Sequence, residues 1–337
     1  MSLEVVWFLL VGVLLAGYAI LDGFDLGAGM LHLFVARDDA ERRQVVNAIG
    51  PVWDGNEVWL LTGGGALFAA FPKVYATVFS GLYLALMLVL TALILRAVSL
   101  EFRGRLDAPG WRRAWDVVFA VSSFLPSLLF GVAVGNVVRG LPLDADGEFA
   151  GTFFGLLNPF ALLAGLFSVA MFLTQGAAWL QLKTTGPVRD RALAAGRAAW
   201  AAWIALWLAL TAYSRLAAPR AWEAPPVPVW LAPLLFLAAA AAARRVWGRG
   251  ARSSAFAFSS AAVAMAVATL GASIFPNLVP ALGDPARSLT VSNASSSPLT
   301  LRVMLIVALA GMPVVLGYTA FIYSRFAGPV ALDEHSY

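Results

Sequence analysis

The sequence predicts an all-α integral membrane protein, a single domain of nine transmembrane helices spanning residues 1–337. Three observations predict it. Hydrophobic residues make up 61% of the chain and charged ones only 12%, whereas a soluble domain carries about 25% charge. Nine apolar runs are long enough to cross about 30 Å of hydrocarbon. The connectors between those runs alternate sharply in basic charge.

The first run, near 5–31, is apolar apart from Asp22 and Asp25 in its second half. The opening MSLEV has no basic segment and the run is too long for the apolar core of a cleavable signal, so it is expected to stay as a helix. The second, near 50–71, carries Asp54 and Glu57 in its first turns, with Gly63, Gly64 and Gly65 after them. The third, near 75–97, ends at Arg96, with Glu101 just beyond, and the fourth, near 115–137, opens at Asp116. The fifth, near 153–181, contains Asn158-Pro159, a helix start because Pro is tolerated in the first turn. The sixth, near 197–216, is followed by a short Ala-rich seventh, near 228–243. The eighth and ninth, near 255–275 and 300–323, complete the set.

Seventeen Lys and Arg fall in one set of connectors and six in the other, together all 23 in the chain. The rich set is typified by Arg42, Arg112, Arg189 and Arg245, the poor set by Lys73, Arg139 and Arg220. The positive-inside rule then puts the N-terminus outside and the C-terminus in the cytoplasm. The net charge of +4 thus reflects topology in a bilayer and not a nucleic-acid surface. The outer loops, Leu141–Thr152, Trp222–Pro228 and Asn277–Pro298, are too short for a folded domain outside the membrane. Trp53, Trp111, Trp115, Trp179 and Trp247 lie near span ends and read as interfacial anchors.

With that orientation Asp22, Asp25, Asp54, Glu57, Glu101 and Asp116 converge with Arg96 on the cytoplasmic half. Intramembrane carboxylates are costly and usually face a bundle interior or a water path. Asp22/Asp25 and Asp54/Glu57 are i,i+3 pairs, so each projects from one side of its helix. Gly23 and Gly27 form a small-residue pair that lets helices approach closely. Three uses are open: a structural ion pair centred on Arg96 and Glu101, a proton path through Asp54, Asp25, Asp22 and Glu57, or a bound ion or quinone headgroup. Asn136 and Gln175 read as interhelical hydrogen-bond partners. Cysteine is absent and histidine numbers two, His32 and His335. That excludes thiolate ligation and leaves no metal site; His32 reads as interfacial and His335 as a tail residue. No catalytic residue is assigned.

Tyr18–Met30, YAILDGFDLGAGM, and the stretch Glu41–Tyr83 with its WDGNEVWL core resemble subunit II of the cytochrome bd-type quinol oxidases. Leu156–Gly186, Ala255–Ala264 and Ser292–Met304 are similar as well, so the likeness covers nearly the whole chain. It implies two four-helix bundles plus a peripheral helix, in a bacterial or archaeal cytoplasmic membrane. It also implies a terminal respiratory oxidase that passes electrons from the quinol pool to O₂, makes water and charges the membrane. Two b-type haems, one d-type haem and the quinol-oxidising loop would lie in the partner, subunit I, and this chain would hold none by side-chain ligation. The matching aspartate in the family contributes to a cytoplasmic proton path, a role that falls on Asp54. Trp59 matches a tryptophan near a proposed oxygen route, and many members have Gln where Glu57 stands. A structural quinone here and a small single-helix accessory subunit are left open. The rival classes are a proton- or cation-coupled transporter, for which no internal repeat is seen, and a purely structural subunit.

Overall fold

The structure is a computed structural model that describes residues 1–222 and 227–332, with side chains for all of these but 227–229. His335 lies outside the described residues. Among the described residues eleven α-helices follow one another: α1 (Leu3–Val35), α2 (Asp39–Ile49), α3 (Trp53–Ala70), α4 (Pro72–Gly81), α5 (Tyr83–Phe102), α6 (Pro109–Arg139), α7 (Pro159–Lys183), α8 (Gly186–Ala217), α9 (Val227–Val246), α10 (Arg252–Ile274) and α11 (Pro298–Arg325). Seven of them, α1, α5, α6, α7, α8, α10 and α11, are long and apolar enough to cross a membrane. The second expected run is α3, an 18-residue helix whose first two turns are diluted by Asp54, Asn56 and Glu57. The seventh falls on α9, which adjoins residues outside the described part.

Helix ends follow local chemistry. The Asn158 side chain caps α7 by accepting from the Ala161 amide at 3.0 Å, with Pro159 in the first turn. Asp38 caps α2 in the same way, accepting from Glu41 at 2.9 Å. The expected third run, 75–97, is corrected to a bent pair. Pro72 starts α4, and Leu82 leaves helical geometry before α5 begins. The turn is held from one side, where the Thr77 hydroxyl donates to the Gly147 carbonyl at 2.9 Å.

Close helix contacts are set by glycine. A Cβ on Gly27 would fall 1.9 Å from the Phe172 carbonyl oxygen, and one on Gly176 2.4 Å from the Gly27 carbonyl carbon. Backbone therefore touches backbone between α1 and α7. The Gly23/Gly27 pair thus seats α1 on α7 and turns its acidic side toward α3 and α5. Gly64 and Gly65 have open space beside them. α1 packs against α3, α6, α7 and α10 and so sits at the centre, whereas α11 makes few contacts.

The loops at the end opposite α2 join into one cap. A two-stranded antiparallel sheet, β1 (Asn277–Val279) with β2 (Leu289–Thr290), lies within it. Leu141 and Leu282 exchange backbone bonds with this segment, from Leu141 to Pro280 at 2.9 Å and from Leu282 to Leu141 at 2.7 Å. Two expected interfacial tryptophans are instead core residues. Trp179 is 3% exposed and donates to the Ala48 carbonyl, and Trp247 is 3% exposed and donates to Leu193. Trp179 meets α2, and Trp247, in the turn after α9, lies on α8 where Gly196 makes room for its ring, so each of these span-end tryptophans meets protein.

Candidate functional site

The predicted acids divide into two clusters and one outlier. In the first cluster Arg96, wholly buried on α5, reaches Asp22 of α1 at 2.6 Å through Nη2. The same nitrogen contacts Glu57 of α3. Asp25, one turn along α1, has a different partner: Asn56 Nδ2 donates to its Oδ2 at 2.7 Å. Asn56 in turn accepts from the Tyr323 hydroxyl of α11 at 2.8 Å. Asp25 is thus buried with a neutral hydrogen-bond partner, while Asp22 and Glu57 share a cation.

The expected pairing of Arg96 with Glu101 is corrected. Five residues of helix turn Glu101 to the exposed side of α5, and Arg96 takes Asp22 and Glu57. Asp54 is the outlier. Though only three residues from Glu57, it lies on the exposed side of α3, because three residues rotate a helix by about 300° and leave about 60° between the two side chains. Glu57 falls inside that boundary and Asp54 outside it. Trp59 packs its ring on α1 where Gly17 makes room; a Cβ there would lie 2.3 Å from the ring.

The second cluster was not legible as such. Asp116 of α6 is fully buried and accepts from Arg103 Nε at 2.6 Å and Arg42 Nη1 at 2.7 Å. His32 Nε2 lies 2.7 Å from the same carboxylate. Arg103 and Arg112 also hold Asp39 at 2.8 and 3.0 Å, and Arg112 reaches Asp107 at 2.5 Å. The interfacial placement of His32 is therefore corrected: it is 0% exposed, because α1 runs to Val35 and carries the ring under α2. Asn136 and Gln175 do bond between segments, to the Leu156 carbonyl at 2.8 Å and with the Ser259 hydroxyl at 2.6 Å. Among the described residues no group of three or more His, Cys, Asp or Glu could hold a metal ion.

Outside the spans, α2 is tied down by Glu41, which lies 2.5 Å from the Arg191 guanidinium and accepts from the Arg37 amide at 2.7 Å. Arg191 is the main cause that holds the Glu41 carboxyl below its ordinary value, with partial burial opposing it. A lowered carboxyl stabilises the fold above its unfolded value, about 4.3, and loses that contribution as pH falls through the lower folded value. Thermal stability should therefore drop as pH falls below about 4.3, and more steeply in the parent than in Glu41→Gln. Equal slopes in melting curves taken through that fall would count against the pair.

The sequence profile of cytochrome bd terminal oxidase subunit II matches residues 3–326. The chain belongs to that family. It is 39% identical to the cytochrome bd-I ubiquinol oxidase subunit 2 of Escherichia coli (strain K12), over 98% of this chain and 96% of that protein. It is 36% identical to the cytochrome bd ubiquinol oxidase subunit 2 of Bacillus subtilis (strain 168), over 99% and 98%. A chain of the bd oxidase from Geobacillus thermodenitrificans superposes with a TM-score of 0.79, over 97% of this chain and 99% of that one. At 18% identity that likeness establishes the fold. As a subunit II, the chain is one part of a multi-pass membrane oxidase complex.

Proposed function

We propose that this subunit II serves a quinol:O₂ oxidoreductase of the cytoplasmic membrane, pairs with a haem-bearing subunit I, and supplies part of the proton path for making water. The observation that carries the proton role is the buried carboxylate of Asp25, bonded only to a neutral amide beside the Asp22–Arg96–Glu57 cluster. A titratable group kept off a neighbouring cation can exchange its proton more readily than one that is paired with it. From there the acids lead outward through Glu57 to Asp54, on a side of α3 that this chain leaves uncovered and that subunit I would cover. Reduction of O₂ consumes protons, and the haems of subunit I supply the electron chemistry.

Nine spans in two four-helix bundles, with α11 peripheral, an outer N-terminus and a cytoplasmic C-terminus, fit this role. Support comes from the basic loops gathered with α2 and from the slight burial of α11. The haem-free reading rests on ligand chemistry. Haem iron in proteins is held by His, Cys, Met or Tyr; the chain has no Cys and two His, and Nε2 of His32 is engaged by Asp116. A cavity of about 520 Å³ between α1, α6, α7, α8, α9 and α10, lined by Phe130, Phe167, Trp207, Leu237 and Leu270 among others, fits the apolar body of a structural quinone, which would be held by packing alone. Oxygen access past Trp59 and an accessory single-helix subunit remain compatible with the open apolar faces of α5 and α11.

The test is expression with and without subunit I. The isolated chain should give a reduced-minus-oxidised spectrum without haem bands, and the pair should show quinol-dependent O₂ uptake. Haem bands from the isolated chain, or transport of a solute by it, would contradict the proposal.

A further inference from the structure

One side of α1 is polar over much of its length. Tyr18, Asp22, Asp25, Gly29 and His32 follow at spacings of four, three, four and three, which keeps them in one stripe on a helix of 3.6 residues per turn. All are buried. Four of the side chains each keep a polar atom with no hydrogen-bond partner: the Tyr18 hydroxyl, Asp22 Oδ2, Asp25 Oδ1 and His32 Nδ1. Protein interiors rarely leave such atoms unpaired, so four along one stripe mark a polar lane. At Gly29, where the stripe has no side chain of its own, α6 supplies one. Ser123 Oγ lies only 2.0 Å from the position a Cβ on Gly29 would take. That hydroxyl donates to the Phe119 carbonyl at 2.7 Å, and its oxygen is left able to accept.

Asp116 decides the chemistry of His32. A carboxylate that receives two guanidinium groups, Arg42 and Arg103, is ionised and can only accept. The imidazole proton therefore sits on Nε2, donated to Asp116, and the lone pair sits on Nδ1. An ionised aspartate behind a histidine N–H fixes the tautomer and stabilises the imidazolium once the other nitrogen takes a proton. The charged groups facing His32 are Arg42 from α2, Arg103 from the turn after α5 and Asp116 from α6, with Asp39, Arg112 and Asp107 behind them. Two arginines and one aspartate face the ring directly, and of these Asp116 alone contacts it. Phe119 packs edge-on against the ring, with centroids 5.3 Å apart.

We propose that His32 is a proton-loading base at the α2 end of this stripe, feeding Asp25 and Asp22 by way of Ser123 and bridging water. Nδ1 takes a proton from the aqueous side to give the imidazolium and then gives it to the Ser123 oxygen or a bridging water, which passes its own proton on, the hydroxyl turning away from the Phe119 carbonyl to do so. Each relay O–H broken is replaced by one formed, and the net change is one N–H broken and one O–H formed on Asp25. His32 and Asp25 are seven residues apart, about 10 Å along the axis, so a relay between them is required. This inference rests on the proton-path proposal above.

The experiment compares His32→Gln and Asp25→Asn in the assembled complex with subunit I. Gln keeps an N–H for Asp116 and removes the basic nitrogen. We expect normal haem spectra, O₂ uptake per haem lower by about tenfold, below the usual 10²–10⁴ for an essential group since a parallel water route would shrink the loss, and loss of the part of the rate's pH dependence that a titrating imidazole supplies. If Asp25→Asn is slow while His32→Gln keeps the parent rate and pH profile, the inference is overturned and the proton path stands. If both keep the parent rate, the path and the inference fall together. Should His32→Gln not assemble, Ser123→Ala decides, since it leaves the Asp116 cluster intact: a slowed rate with normal spectra supports the lane, and an unchanged rate overturns it.

Discussion

Arg96→Met should largely abolish assembly of the oxidase complex. The guanidinium is wholly buried and is shared by Asp22, also wholly buried, and by Glu57, which is about three-quarters buried. Removal of one member of a buried ion cluster leaves charge without compensation and costs about 3–5 kcal/mol, a large fraction of a total stability of roughly 5–15 kcal/mol. The yield of haem-containing complex after purification is the measurement. A sharper form restores neutrality: Arg96→Met combined with Asp22→Asn and Glu57→Gln should recover much of that yield, because polar groups of similar shape then replace the charges. If the single variant assembles at the parent level, Arg96 does not hold α1, α3 and α5 together.

Asp54→Asn should do the reverse, leaving assembly intact and lowering turnover. Asp54 makes no hydrogen bond or ion pair among the described residues and lies on the exposed side of α3, so this chain's packing does not depend on it. Asn keeps its size and polarity and removes the titratable site. O₂ uptake per haem should fall by about tenfold or more, less than the full 10²–10⁴ seen for essential proton-transfer groups since a parallel water route would shrink the loss. Asp54→Ala should match it. A loss of assembly in either variant, with normal turnover per haem in what remains, would make Asp54 structural.

The contrast between Arg96 and Asp54 shows how far the sequence carries. Charges inside apolar runs are conspicuous, and Asp22, Asp25, Glu57 and Arg96 do meet in the fold. Spacing alone could not say which of two acids on one helix turns inward, because 60° of rotation separates Glu57 from Asp54 and the position of α1 decides between them. Likewise Gly23 and Gly27 announced a close helix contact, yet the contact is with Gly176, 149 residues downstream of Gly27. Trp179 and Trp247 looked like anchors because hydropathy sees span ends and not the helices α2 and α8 that cover them. His32 was misplaced for the same reason. Its partner Asp116 lies 84 residues away, and a lone histidine at a span end carries no sign of it. The stripe from Tyr18 to His32 was in the sequence throughout, as a 4-3-4-3 spacing, but Gly29 breaks its polarity until Ser123 fills the gap from another helix.

Proton uptake during a single turnover tests the central claim most directly. The fully reduced complex, reconstituted in vesicles with the α2 side facing a pH indicator, is mixed with O₂ and followed in time. Parent complex should take up protons from that side in step with oxidation of the haems. Complexes carrying Asp25→Asn or Asp54→Asn, with normal haem spectra, should oxidise the first electrons at the parent rate and lag in proton uptake by about tenfold or more. Uptake at the parent rate in both variants would contradict the assignment of a proton path to this subunit.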